Sequence, residues 1–218
     1  MPSVQNLYSA GPRICFNPGV GISLRQFEQL QQRATRRVAR SVEGTIPAAR
    51  TPHSVILGID PSVRATGFGV IRMEKRQPQA LGHGTVHCPP GWERSRCLLQ
   101  IVRSVREQIA RLKPTVCVVE GLFYAQNFQT ALIMGEARGA SLVAAAEAGL
   151  EIFEIAPRKV KQAIVGYGAA QKHAVGRMVQ RMLRLPELPE ADAADALALA
   201  LAYAQSTSRF TFDSAKRI

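Results

Sequence analysis

Two apolar runs do most to limit what this chain can become, because each reads as a buried strand and each ends on an acid. VILGID spans Val55–Asp60 and TVCVVE spans Thr115–Glu120, both short, unbroken and rich in β-branched residues. An ionised carboxylate beside a core costs several kcal/mol, of order 3 or more, unless a positive charge or an array of donors meets it. A nearby Arg or Lys, backbone N–H groups and a metal ion all answer that need. In open α/β sheets ligand sites form outside the carboxyl ends of the strands, so both acids stand where a site is expected.

The pattern around these runs is that of a layered α/β protein. TGFGVIRM follows VILGID across PSVRA as a hairpin partner, and Leu81–Cys88 (LGHGTVHC) alternates like a third strand. From Trp92 to Leu112 the apolar positions Leu98, Val102, Val105, Ile109 and Leu112 recur at spacings of 4, 3, 4 and 3, which predicts an amphipathic helix stopped by Lys113 and Pro114. After TVCVVE, residues 128–148 read as a helix rich in small residues, EIFEI (Glu151–Ile155) as a strand, and the rest as two or three helices. The predicted architecture is a mixed sheet, three antiparallel strands followed by parallel ones, flanked by helices.

The last helix contains PEADAADALALALAYAQ, in which Asp192 and Asp195 are three apart and share a face. Taken alone, they are equally the ordinary charges of a helix N-terminus, with Pro189 at its start and the dipole favouring an anion. Asp60 alone would serve as a turn cap, and Glu120 alone as the partner of an arginine. Together the four make a set: converging carboxylates repel one another, and an oxygen-only donor set suits Mg²⁺ or Mn²⁺. The chain as a whole is basic, with 28 Lys and Arg against 16 Asp and Glu, a net charge of +12 and an isoelectric point near 10.3. That imbalance calls for a polyanionic partner, nucleic acid first. A positive surface around an acidic pocket is the profile of a metal-dependent nuclease, in which the surface holds the phosphate backbone and the metal overcomes repulsion at the scissile phosphate.

Other classes fit less well. No apolar run approaches the roughly 18–20 residues that span a bilayer, so no membrane-spanning helix is expected. Cys15, Cys88, Cys97 and Cys117 form no CxxC pair, which argues against a zinc ribbon or redox motif and for reduced thiols. His83 and His87 are read as the solvent face of a strand rather than a metal pair. GID followed by GFGV also resembles the phosphate loop of sugar kinases and actin-like folds, but a single such loop is weak, and it leaves the acids of the last helix without a task.

Five blocks in order, ILGIDPSVRATGFGVI, VVEGLFYAQN, GEARGASL, APRKVKQAIVGYGAAQK and ADAADALALA, resemble the RuvC family of Holliday-junction resolvases in the ribonuclease H-like superfamily. The resemblance covers about Val55 to Gln205. It implies a homodimeric endonuclease that binds four-way junction DNA during recombination and repair and nicks strands of like polarity. It also implies Mg²⁺, with Mn²⁺ as substitute, two ions per site, and a branch-migration helicase complex as partner. The family's catalytic, metal-holding acids fall on Asp60, Glu120, Asp192 and Asp195, and its stacking aromatic on Phe123. Its basic residues near the cut fall on Lys161 and Lys172, with Arg158 and Lys159 adding charge, and its dimer contact on the stretch holding Gly135, Ala137, Gly139, Ala140 and Ala144. Ser62 and Gly121 depart from the family pattern, which commonly has Gly and Gln or Glu there. Resolvase-like proteins of ribosomal RNA processing are the main enzyme alternative.

The chain divides into a basic extension, residues 1–54, a nuclease domain, 55–206, and a C-terminal tail, 207–218. The extension has seven Arg, no Lys and two acids, which gives +5 of the +12. That composition suits a DNA-binding arm, an organellar transit peptide and an early-annotated start equally. Cytoplasmic location is the expectation, with organellar import as the alternative.

Overall fold

A computed structural model describes residues 53–75, 77–121, 128–208 and 215–218. In chain order the elements are β1 (Val55–Asp60), β2 (Ala65–Glu74), β3 (Gln77–His87), α1 (Arg94–Leu112), β4 (Val116–Glu120), α2 (Phe128–Glu147), β5 (Glu151–Ile155), α3 (Pro157–Val165), α4 (Lys172–Leu183), α5 (Ala191–Ser208) and β6 (Ala215–Arg217). Six strands form one sheet in the order β3-β2-β1-β4-β5-β6. β1, β2 and β3 pair antiparallel, β1, β4 and β5 pair parallel, and β6 closes the far edge antiparallel to β5. The mixed sheet read from the sequence is therefore the sheet observed.

Strand alternation sorts the side chains into two cores. Leu57, Ile59, Val70, Cys117 and Val119 face α1 and α2, while Ile56, Ile71, Val116, Val118, Phe153 and Ile155 face α3, α4 and α5. The second layer is dominated by α5, whose residues Ala193, Ala194 and Ala196 to Ala204 are all buried. A helix apolar all round must be covered on both sides, and α5 lies between the sheet and the pair α3 and α4. Burying Leu197, Leu201 and their neighbours contributes about 1.5–3 kcal/mol per large side chain.

Two features differ from the sequence reading. The buried seam of α1 is Cys97, Ile101 and Val105, while Leu98, Val102, Ile109 and Leu112 pack only partly against it. Both rows are apolar, and the sheet selects the one facing it. Residues 215–217, placed within the C-terminal tail, supply the edge strand β6. Among the described residues no helix is long and apolar enough to cross a membrane.

Candidate active site

Asp60 and Glu120 are the last residues of neighbouring parallel strands. The register Ile59↔Val119 brings them side by side one residue further on. Alternation from Ile56 and Gly58 in β1, and from Val118 in β4, turns both carboxylates to the face covered by α5.

Two glycines let α5 come close enough to add its own acids. A Cβ built on Gly58 would lie 2.0 Å from the Ala196 carbonyl oxygen, and one on Gly67 would lie 1.9 Å from that of Asp192. The helix backbone thus rests directly on β1 and β2, and its first turns reach the strand ends. The glycines of GID and TGFG are a seat for a helix. Asp60, Glu120, Asp192 and Asp195 line one cleft of about 380 Å³, together with Ser62, Met134, Lys161 and Lys172.

The electrostatics of the cleft follow from that convergence. Burial, and then the charges of Glu120, Asp195 and Asp192, push the Asp60 carboxyl up to about 7, against a smaller opposing pull from Lys172. Glu120 is also raised, by burial first and then by Asp195; Lys172, a hydrogen bond from Asp60 and Lys161 act against this. Lys172 Nζ sits 3.0 Å from Asp195 Oδ2, and that contact raises its own pKa. The cleft concentrates negative charge and sets the ammonium groups of Lys172 and Lys161 against it. The four acids are hard oxygen donors of the kind that bind Mg²⁺ or Mn²⁺. Among the described residues no group of three or more His, Cys, Asp or Glu side chains is already placed to hold a metal ion. An open arrangement is what Mg²⁺ uses when one or two carboxylates share it with waters and substrate phosphates.

The other residues singled out from the sequence divide. Lys161 and Lys172 line the cleft, whereas Arg158 and Lys159 are exposed on α3 outside its lining, Arg158 lying against Gly168. Phe123 lies outside the described residues. Within α2, Ala137 and Ala144 are buried in the core of their own chain, while Gly135 and Gly139 face open space. His83 and His87 are exposed, and His87 Nε2 pairs with Glu190 Oε2 at 3.1 Å. Cys88, Cys97 and Cys117 are buried free thiols, and burial pushes Cys117 up to about 12. Sequence reasoning passed over Thr66, whose buried hydroxyl bonds the Ser62 carbonyl at 2.5 Å and amide at 3.2 Å and so fixes the turn after Asp60. It also passed over Arg138, a charge in a helix that reads as solvent-facing until the fold is known.

Fold and cleft together define a ribonuclease H-like protein with an acid cluster at the carboxyl ends of its central strands. The family model described as crossover junction endodeoxyribonuclease RuvC matches residues 56–203. The crossover junction endodeoxyribonuclease RuvC of Tolumonas auensis is 46% identical over 153 residues, which is 70% of this chain and 88% of that protein. The structure of Thermus thermophilus RuvC is similar with a TM-score of 0.67 and 34% identity, covering 75% of this chain and 99% of that one. T. thermophilus RuvC in complex with Holliday junction substrate gives the same TM-score, 0.67, and the same coverage, 75% and 99%, at 32% identity. The chain belongs to the RuvC family.

Proposed function

We propose that this protein is a structure-specific endonuclease that resolves four-way DNA junctions by metal-dependent paired nicking. One observation carries the reading: in a RuvC-family chain of net charge +12, carboxylates from β1, β4 and α5 meet in a single cleft. Asp60, Glu120, Asp192 and Asp195 are the proposed metal ligands, and Mg²⁺, replaceable by Mn²⁺, is the proposed ion, two per site. When bound, the metal supplies charge neutralisation at the scissile phosphate and activation of water at neutral pH. The protein's own task is to hold four mutually repelling acids in place.

Lys161 and Lys172 provide positive charge within the same cleft, suited to a phosphate drawn against the acids. Arg158 and Lys159, further out, contribute to backbone binding. Phe123, just after the Glu120 strand end, is proposed to stack on a base at the opened centre of the junction, a contact worth roughly 1–3 kcal/mol.

Symmetric nicking requires two sites, and a homodimer is the proposed assembly. Its support is an outward stripe on α2, where Leu132 is 51% and Val143 is 52% exposed, with open space over Gly135 and Gly139 between them. Small residues at such a stripe allow a second copy to approach closely. A branch-migration helicase complex as partner is part of the same reading, as is action in the cytoplasm, and both rest on family membership.

The test is a set of single neutralisations, Asp60→Asn, Glu120→Gln, Asp192→Asn and Asp195→Asn. Each is expected to abolish junction cleavage while leaving junction binding largely intact, because the acids hold metal and repel phosphate. Equal loss of binding in all four would defeat the assignment.

A further inference from the structure

GEARGASL contains a charge that the acid cleft does not use. Arg138, in the middle of α2, is 7% exposed and is the one charged residue in the buried set among the described residues. A buried guanidinium is costly unless its donors are met. Here the planar fork spans two strands. Nη1 donates to the main-chain carbonyl of Glu120 at the end of β4, and Nη2 donates to Glu154 Oε2 on β5 at 2.8 Å. Lys216 Nζ of β6 lies 3.7 Å from the other Glu154 oxygen. The peptide whose carbonyl receives Arg138 is the Glu120–Gly121 link, and its N–H donates to the Ile155 carbonyl at 2.9 Å. Both polar ends of that one peptide are therefore tied, one to a helix and one to the neighbouring strand.

We propose that Arg138 is a positioning residue: by clamping the Glu120–Gly121 peptide it holds the Glu120 carboxylate in the cleft beside Asp60 and Asp195. The proposal rests on the reading of Glu120 as a metal ligand. α2 does not need this charge in order to dock. It is already seated by Ala137, Ala144 and Ala145 and joined to α1 by the pairs Arg94–Glu136 and Arg106–Glu147. An apolar side chain would fill the space without burying a cation. The guanidinium adds two donors at fixed separation at the point where β4 ends, and a lysine ammonium lacks that fork.

The experiment measures Mn²⁺ binding to the full chain by electron paramagnetic resonance or calorimetry, with amide hydrogen exchange on the metal-free protein. Loss of an outer support of a metal ligand costs about 10- to 100-fold in affinity. Arg138→Gln and Arg138→Lys are expected to weaken Mn²⁺ binding by that order and to speed exchange at the Gly121 amide. Glu154→Gln, which keeps an acceptor but loses the charge, should fall between them and wild type. Junction binding in chelator should be unchanged in all three.

If Asp60→Asn abolishes Mn²⁺ binding but the Arg138 variants bind as wild type does, the positioning role is overturned and the nuclease reading stands. If wild type has no Mn²⁺ site sensitive to Asp60→Asn, the nuclease reading itself fails, and the positioning role with it. Should Arg138→Gln not fold, Arg138→Lys decides. Failure of both to fold assigns Arg138 to the fold alone and overturns the proposal.

Discussion

Asp60 ends β1 in a cleft that it shares with Glu120, Asp192 and Asp195. Burial and three neighbouring acids raise its pKa to about 7, whereas in an unfolded chain it returns to about 4. Between those values the native state binds more protons than the unfolded one, so stability of the metal-free protein falls as pH rises from about 4 to about 7. Asp60→Asn removes the opposed charge. In metal-free buffer it should melt above wild type at about pH 8 and close to it at about pH 4. Mg²⁺ should raise the wild-type melting temperature at the higher pH and leave the variant's unchanged. A variant that melts lower at high pH would mean that the fold already compensates the Asp60 charge. Asp60 and Glu120 were legible in the sequence because an acid ending an apolar run is conspicuous. Asp192 and Asp195 were ambiguous, since a helix N-terminus explains them equally well. Arg138 was illegible, because nothing local distinguishes a buried charge from an exposed one on a helix.

Among the elements, α5 and its seat on β1 and β2 decide whether the site exists. With 1.9 Å between a Cβ on Gly67 and the Asp192 carbonyl, and 2.0 Å between one on Gly58 and that of Ala196, a methyl group at either position must push the helix off the sheet. Gly67→Ala and Gly58→Ala should each cost about 1–3 kcal/mol or more in denaturant unfolding, the range for overpacking a filled core. They should also slow cleavage beyond what lost stability explains, because the acids of α5 move with the helix. Gly91→Ala, with nothing within 4 Å, is the neutral control. Wild-type stability and rate in Gly67→Ala would contradict the seating argument. The order of elements and a sheet flanked by helices were legible from periodicity, but the seating of α5 on the sheet was not: a glycine in a strand reads as a turn, a bulge or a close approach, and only the packed helix selects among these. β6 has three residues, Ala215, Lys216 and Arg217, and no hydrophobic pattern, so pairing with β5 is what makes it a strand.

The chain as a whole carries a net charge of +12, while its cleft is lined by four acids. Part of that charge lies in the N-terminal extension, where seven Arg and two Glu give +5. His53 pairs with Glu151 at 3.3 Å and the Ser54 carbonyl bonds the Met73 amide at 2.8 Å, so a truncation that spares the domain removes residues 1–52 rather than 1–54. If the extension is a DNA-binding arm, the truncated protein should keep its nuclease activity and bind DNA with a flatter log-affinity against log-salt line, each lost phosphate contact removing a slope of roughly 0.9. An unchanged slope would mean that the extension makes no phosphate contacts. An inactive truncation would mean that it is part of the working domain. The central claim is cleavage of a four-way junction at the acid cleft, and the most direct measurement incubates full-length protein with an end-labelled junction and a matched duplex, in Mg²⁺ and in chelator. The account predicts paired nicks in junction strands of like polarity, present with Mg²⁺, absent with chelator and absent from the duplex; equal cutting of the duplex, or cutting that survives chelation, would contradict it.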